Sequence, residues 1–208
     1  PLEPVAEHDE GITLLGHFEA IPHESEFYRI VGCLGLGPVR QVFTCQDFDE
    51  YELLAKSRLA ISLSHLGDAA LADFGARLGV PGVRWHASYS IKEIERRYRE
   101  LAAQCGGEVD CDSDAGRARR AVANARRILG DTPLAVDSSA TMRPFSLALD
   151  LLAYGFNVRA VFALHQKADD SSARDRLAEQ YPEVAIVRSG AAEAIRGVDL
   201  AEGGRQWV

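Results

Sequence analysis

The chain has 208 residues, 47% of them hydrophobic, which is enough for one large domain or two smaller α/β lobes. Its net charge of −8 argues against nucleic acid as a partner, because an acidic surface repels a phosphate backbone. No apolar stretch approaches the ~20 residues that a membrane span needs, so we expect no membrane association.

The first half of the chain alternates short apolar runs with amphipathic segments, which is the pattern of βαβ units. Strands are predicted at residues 12–15, 40–44, 59–63 and 83–85. Helices are predicted between and after them, from about residue 24 to the glycines at 35 and 37, at 50–56, at 67–78, and beyond Ser90. The spacing of Asp47 and Glu50 is that of a capping box, in which two side chains satisfy exposed backbone donors at a helix start.

The second half repeats this alternation after a glycine-rich, acidic stretch at 106–114. A helix follows that stretch, and its apolar spacing predicts one inner face: Ala118, Ala121, Val122, Ala125 and Leu129. Strands are then predicted at 134–136, 158–164 and 184–187, with helices at 144–154 and from Ser172. We therefore predict an α/β fold of two Rossmann-like lobes with parallel sheets flanked by helices, at 1–104 and 130–208, joined by a helical linker at 105–129. The second lobe is expected to be truncated.

Histidines mark the first candidate site, because ligands of open parallel sheets bind beyond the carboxyl ends of the strands. Four of them lie at or just beyond the ends of predicted strands: His17, His65, His86 and His165. Histidine can ligate a metal, transfer a proton or donate to an anion. Polar residues also commonly stand where a strand leaves the core, so both interpretations remain open.

The loop before Pro144 is the second candidate site. Proline is favoured at the first helical position, which places Arg143 at a helix N-terminus. Free backbone N–H groups and a guanidinium can together bind an anion there, with Ser138 in the same loop. The alternative is a surface Arg143 paired with Asp137. The acidic pair at 169–170 is predicted to be solvated.

The four cysteines, at 33, 45, 105 and 111, form no Cys-x-x-Cys pair and no zinc-finger spacing. Such sparse usage suits a reducing compartment, so we expect a cytoplasmic protein. An iron–sulfur cluster needs about four converging ligands, whereas these thiols are dispersed along the chain. We therefore predict no metal site and no stably bound cluster in the isolated chain.

Several short stretches resemble the nitrogenase component 1 family of oxidoreductases. They are ITLLGHFE at 12–19, LAISLSH at 59–65, RILGDTPLAVD at 127–137, RPFS at 143–146 and LLAYGFNV at 151–158. The resemblance covers most of the chain. It implies a fragment that contains the middle and part of the last Rossmann-like domain of such a subunit.

The resemblance implies a heterotetrameric reductase or scaffold that uses iron–sulfur clusters. The implied partners are a homologous component 1 subunit and an ATP-dependent iron protein that delivers electrons. The implied cofactor of the full-length protein is an iron–sulfur or related metal cluster. Arg143-Pro144 matches an Arg-Pro step that approaches the family's metal cofactor. The stretch ending at His65 has no cysteine where the catalytic subunit has a cofactor ligand, which favours a partner-type subunit or a nitrogenase-like protein of unknown substrate.

The sequence thus predicts a fragment of a nitrogenase-like oxidoreductase subunit, with four candidate cofactor-binding residues: Arg143, His65, His17 and Ser138. Two other functions remain open. One is a metal-cluster assembly scaffold of the same superfamily, and the other is a metal-chelate binding module built from two Rossmann-like lobes.

Overall fold

The computed structural model describes residues 2–163 and 170–187. The chain divides into two compact units. Of the described residues, the first comprises those up to Ala87 together with Lys92–Asp114, and the second comprises Ser88–Ile91 and those from Ala115 onward. Each unit contains a parallel sheet of its own. The predicted lobe boundaries near 104 and 130 stay a prediction.

The sheet of the first unit has four parallel strands in the order β2-β1-β3-β4. They are β1 (Asp9–Leu15), β2 (Val39–Gln41), β3 (Ser57–Ser62) and β4 (Gly82–Arg84). The two central strands are almost entirely buried, as expected of apolar runs in a parallel sheet. The chain passes from β1 to β2 on one side and then to β3 on the other. The carboxyl ends of β1 and β3 therefore form a topological switch point, where loops diverge and leave a crevice.

Helices cover both faces of this sheet. On one face, Ile12 and Leu14 pack with residues of α1 (Glu26–Cys33) and α4 (Ile91–Gln104). On the other face, Leu15 and Ala60 pack with α3 (Asp68–Asp73) and the turn that follows it. The alternation of side chains along a strand explains the division, because neighbouring residues of β1 point to opposite faces. Each buried leucine or phenylalanine stabilises the fold by about 1.5–3 kcal/mol.

The region after β2 differs from the prediction. The strand ends at Gln41, and residues 42–44 form a 3-10 turn in which Val42 and Phe43 are exposed. The helix predicted at 50–56 is instead α2 (Phe48–Glu52) followed by a 3-10 turn. The predicted capping box is present but shifted: Glu50 N donates to Asp47 Oδ1 at 2.8 Å, and the Glu50 carboxylate accepts from Gln46 N.

The second unit contains a three-stranded parallel sheet in the order β5-β6-β7. The strands are β5 (Leu134–Asp137), β6 (Val158–Phe162) and β7 (Ala185–Val187). Two helices, α6 (Pro144–Ala153) and α7 (Ser171–Gln180), pack against them through Phe145, Leu149 and Leu177. The end predicted for β6, at residue 164, lies outside the described residues. The predicted fold class of parallel sheets flanked by helices is confirmed.

Helix α5 (Asp112–Leu129) corrects one prediction. Of the five residues predicted to form its inner face, Ala118, Val122 and Ala125 are half-buried, whereas Ala121 and Leu129 are exposed. Burying an alanine side chain removes little apolar area from water, so burial of this predicted inner face would stabilise the fold only slightly. No helix among the described residues is long and apolar enough to cross a membrane.

Replacing Gly67 by alanine should lower the free energy of unfolding by about 1–3 kcal/mol, because the added methyl group meets the end of β1. A Cβ at position 67 would lie 2.9 Å from the backbone nitrogen of Gly16 and 2.9 Å from the carbonyl carbon of Leu15. Urea unfolding measures the change. The control is Gly32→Ala in α1, where nothing lies within 4 Å of a Cβ. Equal stability of the two variants would contradict the close packing.

Candidate functional site

The loops after β1 and β3 are in backbone contact at the switch point of the first unit. Gly16 has a φ of 78°, and a Cβ on it would lie 2.6 Å from the backbone nitrogen of Gly67. The Ser64 hydroxyl donates to the Gly16 carbonyl oxygen, and Gly67 N donates to the Ser64 carbonyl oxygen at 2.9 Å. This contact fixes the two loops that carry His17 and His65.

His17 is held by a network that defines the tautomer of its ring. The Gln41 side-chain oxygen accepts from Ile21 N at 3.0 Å and lies 2.8 Å from His17 Nε2. A backbone N–H can only donate, so the Gln41 oxygen is the acceptor for both groups and His17 Nε2 is a donor. In the neutral ring the lone pair is therefore on Nδ1. That atom is buried and has no hydrogen-bond partner among the described residues.

Gln41 is the centre of this network. It is 2% exposed, and its Nε2 donates to the Tyr28 hydroxyl at 2.9 Å. Burial raises the pKa of Tyr28, and the donation from Gln41 only partly opposes this effect. The phenol therefore stays protonated at neutral pH and donates to the Ile21 carbonyl oxygen. Gln41 thus links the end of β2 to both the His17 loop and α1.

Exposed aromatic rings border His17. The ring of Phe43 lies 6.4 Å from that of His17 and 6.0 Å from that of Phe18, measured between centroids. Both phenylalanines are more than half exposed. The histidine therefore has an apolar rim that would strengthen its electrostatic interactions with a bound group by excluding water.

A second polar cluster lies at the ends of β3 and β4. Asp68 Oδ1 accepts from the Ser62 hydroxyl at 2.8 Å and lies 2.9 Å from His86 Nε2. The other carboxylate oxygen, Asp68 Oδ2, lies 3.8 Å from Arg84 Nε. Burial raises the pKa of Asp68, but the bonds from His86 and Ser62 outweigh it, so the pKa lies below its ordinary value. Because Ser62 donates to the aspartate and not to the histidine, this cluster is not arranged to activate a serine nucleophile.

The second unit holds Ser138 and Arg143. Ser138 N donates to the Phe162 carbonyl oxygen at 2.9 Å, which places this half-buried residue beside the carboxyl ends of β5 and β6. Arg143 precedes Pro144 as the N-cap residue of α6, as predicted, and its Nε is buried. Asp137 accepts from Ser139 N at 2.7 Å, and the Ser139 bonds lower its pKa.

The start of α6 already binds an anionic group of the protein itself. The Asp170 carboxylate, 1% exposed, accepts from Phe145 N at 2.8 Å, from Ser146 N at 3.1 Å and from the Ser146 hydroxyl at 2.5 Å. The expectation of free N–H groups at this helix start, and of a solvated carboxylate at 170, was therefore wrong. Burial raises the pKa of Asp170, while the Ser146 and Phe145 bonds and the charge of Arg143 lower it less strongly.

The four residues predicted from the sequence thus fall into two groups. His17 and His65 lie at the switch point of the first unit, and Ser138 and Arg143 lie at the strand ends and helix start of the second. His165 lies outside the described residues. Gln41, Asp68 and Asp170 were missed. A buried polar residue inside the apolar run at 39–43 was the one available signal for Gln41.

The residues present do not fit an iron–sulfur cluster. Among residues 2–163 and 170–187, no three histidine, cysteine, aspartate or glutamate side chains gather as a metal site would need. The four thiols are unpaired by disulfides and differ in setting, from exposed Cys33 to buried Cys111. Burial raises the pKa of Cys111, which disfavours the thiolate that a metal requires.

Comparison with solved structures shows where this fold occurs. A structure of nitrogenase Cp1 at pH 6.5 superimposes with a TM-score of 0.71 and 14% identity over 95% of this chain. The chain spans about half of that nitrogenase chain, 49% of its length. A structure of nitrogenase Cp1 at pH 5 matches 76% of this chain at 15% identity with a TM-score of 0.46. No protein-family model and no curated protein matches the sequence. The fold of this chain is therefore similar to that of about half of the nitrogenase Cp1 chain.

Asp68 should make stability depend on pH in the acid range. Its pKa is depressed on folding, so its contribution is present above the unfolded value and is lost as pH falls through the folded value. Asp68→Asn should therefore flatten the loss of stability below about pH 4. Urea unfolding at several pH values tests this expectation, with Asp175→Asn as the exposed control. If Asp68→Asn leaves the pH dependence of stability unchanged, the ionised Asp68 carboxylate does not stabilise the folded chain.

Asp170→Ala should lower the free energy of unfolding by about 1–3 kcal/mol, because it leaves two backbone donors and a hydroxyl buried without their acceptor. Thermal or urea unfolding at neutral pH measures the loss. Asp175→Ala, on the same helix but exposed, should change stability by no more than about 0.5 kcal/mol. If both variants lose equally little, Asp170 does not anchor α6.

Proposed function

We propose that this chain is part of a nitrogenase-like component 1 oxidoreductase subunit, a reductase that is fed by an ATP-dependent iron protein. The observation that carries the proposal is the shared fold, with a TM-score of 0.71 over 95% of the chain. The stretches ITLLGHFE at 12–19 and RPFS at 143–146 support it independently of the coordinates. The proposal includes a homologous partner subunit and a cytoplasmic location.

In this proposal His17 is the principal ligand-contacting residue of the first unit. Its Nδ1 has a lone pair in the neutral ring, and the Gln41 bond holds the ring in one orientation. A fixed imidazole whose other nitrogen already donates is the usual setting of a metal-ligating histidine. His65 follows the neighbouring strand and is assigned to the same edge. Ser138 and Arg143 are assigned to ligand contacts of the second unit.

The described residues of this chain do not fit an iron–sulfur cluster, so we do not assign them as its main ligands. The described thiols do not converge, so any cluster of the full-length protein would take most of its ligands from elsewhere. The chain's own residues would then orient the bound group and exclude water from it. A scaffold function in cluster assembly is the second candidate. Leu63-Ser64-His65 has no thiol where the catalytic subunit of the family has a cofactor ligand, which favours a partner-type subunit over the catalytic one.

The test uses the full-length polypeptide, purified anaerobically with its homologous subunit and mixed with an iron protein and MgATP. A reductase should consume reductant in proportion to ATP hydrolysis. His17→Ala should lower that activity by about tenfold or more, because it removes the proposed ligand contact. His8→Ala is the control, since His8 is exposed and precedes β1.

Two results would contradict the reductase proposal. Retention of iron and sulfide without ATP-dependent reduction would assign the protein to cluster assembly. Binding of a metal chelate with neither activity would assign it to the chelate-binding class. Equal activity of the His17→Ala and His8→Ala proteins would remove His17 from the site while leaving the overall function intact.

A further inference from the structure

Helix α5 presents an exposed stripe with a positive charge. Residues at three- and four-residue spacing lie on one helical face. On α5 one such face consists entirely of exposed residues, namely Arg117, Arg120, Ala121, Asn124, Arg127 and Ile128, which we term the basic stripe. Ile128 is 67% exposed. Arginine is enriched at protein contact surfaces, and here four of the six stripe positions are arginines or the exposed isoleucine.

The charge of α5 is unusual for this chain. Between Ala115 and Leu129 the helix has five arginines and no acidic residue, while the whole chain has a net charge of −8. The remainder of the chain is therefore strongly acidic. Such asymmetry favours an acidic protein surface as the partner, because nucleic acid would be repelled by the rest of the molecule.

The chain itself contains a surface of the required chemistry. Around α2, the exposed residues Asp47, Phe48, Asp49, Glu52 and Leu53 form what we term the acidic patch. Phe48 is 61% exposed, and its ring lies 5.8 Å from that of Tyr51. No lysine or arginine occurs between residues 41 and 55. Carboxylates beside an exposed aromatic ring complement arginines beside an exposed isoleucine in both charge and polarity.

We propose that the basic stripe of one chain docks on the acidic patch of a second copy of this chain. Two copies of the basic stripe would repel each other, so each contact pairs the stripe of one chain with the patch of another. Two chains that make both contacts with each other close as a dimer, whereas single contacts build rings or open assemblies as concentration rises. The inference does not rest on the proposed reductase function.

The test is sedimentation of the 208-residue chain over a range of concentrations and salt. The wild-type chain should self-associate, and salt should weaken the association because it screens exposed charges. Arg120→Glu with Arg127→Glu should weaken association by about tenfold or more, because like charges then meet at the contact. The matched control is Arg119→Glu with Arg126→Glu, which has the same spacing and charge change on another face of α5.

Reversing the charge of each surface in a separate chain tests whether the basic stripe pairs with the acidic patch. Asp49→Lys with Glu52→Lys reverses the acidic patch without touching Asp47 and Glu50, which hold the cap of α2. Each reversed chain alone should associate about tenfold or more weakly than the wild-type chain, and an equimolar mixture of the two should recover the association. Circular dichroism confirms that each variant is folded.

The proposal is overturned if the wild-type chain stays monomeric at all concentrations, or if the control variant loses association as much as the stripe variant. A mixture that stays monomeric overturns the pairing with the acidic patch. Capture of a different acidic protein by an otherwise monomeric chain would assign the basic stripe to that partner instead.

Discussion

The close approach of Gly16 and Gly67 is the contact on which the candidate site of the first unit depends. It brings the loops after the two central strands to within backbone contact, at the point where the chain changes direction across the sheet. A side chain at either position would separate the loops. His17 directly follows Gly16, and the residue before His65, Ser64, donates to the Gly16 carbonyl oxygen. The positions of both histidines therefore follow from this packing. Both glycines are thus needed for space, and Gly16 is also needed for its φ of 78°.

Buried polar groups in both units are matched to donors from distant parts of the chain. Gln41 joins the edge strand to the loop at Ile21 and to Tyr28, and Asp170 joins the start of α7 to the start of α6. A buried polar group without partners would cost about 1–3 kcal/mol, so such networks restrict the arrangement of the elements that they connect. His17 Nδ1 differs from these groups because it is buried at the end of a completed network and still has a lone pair to offer.

The elements were predictable from the sequence wherever an apolar run had to be buried. The runs predicted as strands at 59–63 and 158–164 correspond to β3 and, within the described residues, to β6. The inner face of α5 was predicted wrongly, because periodicity shows which residues share a face and not whether another element covers that face. Gln41 and Asp170 were missed for a related reason. Their partners lie 13–25 residues away, and composition alone indicates solvent for an aspartate in a polar stretch.

The start of α6 shows how such a distant partner changes the chemistry of a site. Sequence alone indicates a helix N-terminus and an arginine, which together attract an anion. In the folded chain the first N–H groups of the helix donate to Asp170, so the protein supplies the anion itself. The charge of Arg143 acts on the same carboxylate and lowers its pKa, against the larger effect of burial. An external anion at this position would have to displace Asp170 or bind to the guanidinium alone. The arginine and the buried aspartate therefore act together, and a substitution at either residue changes the electrostatic environment of the other.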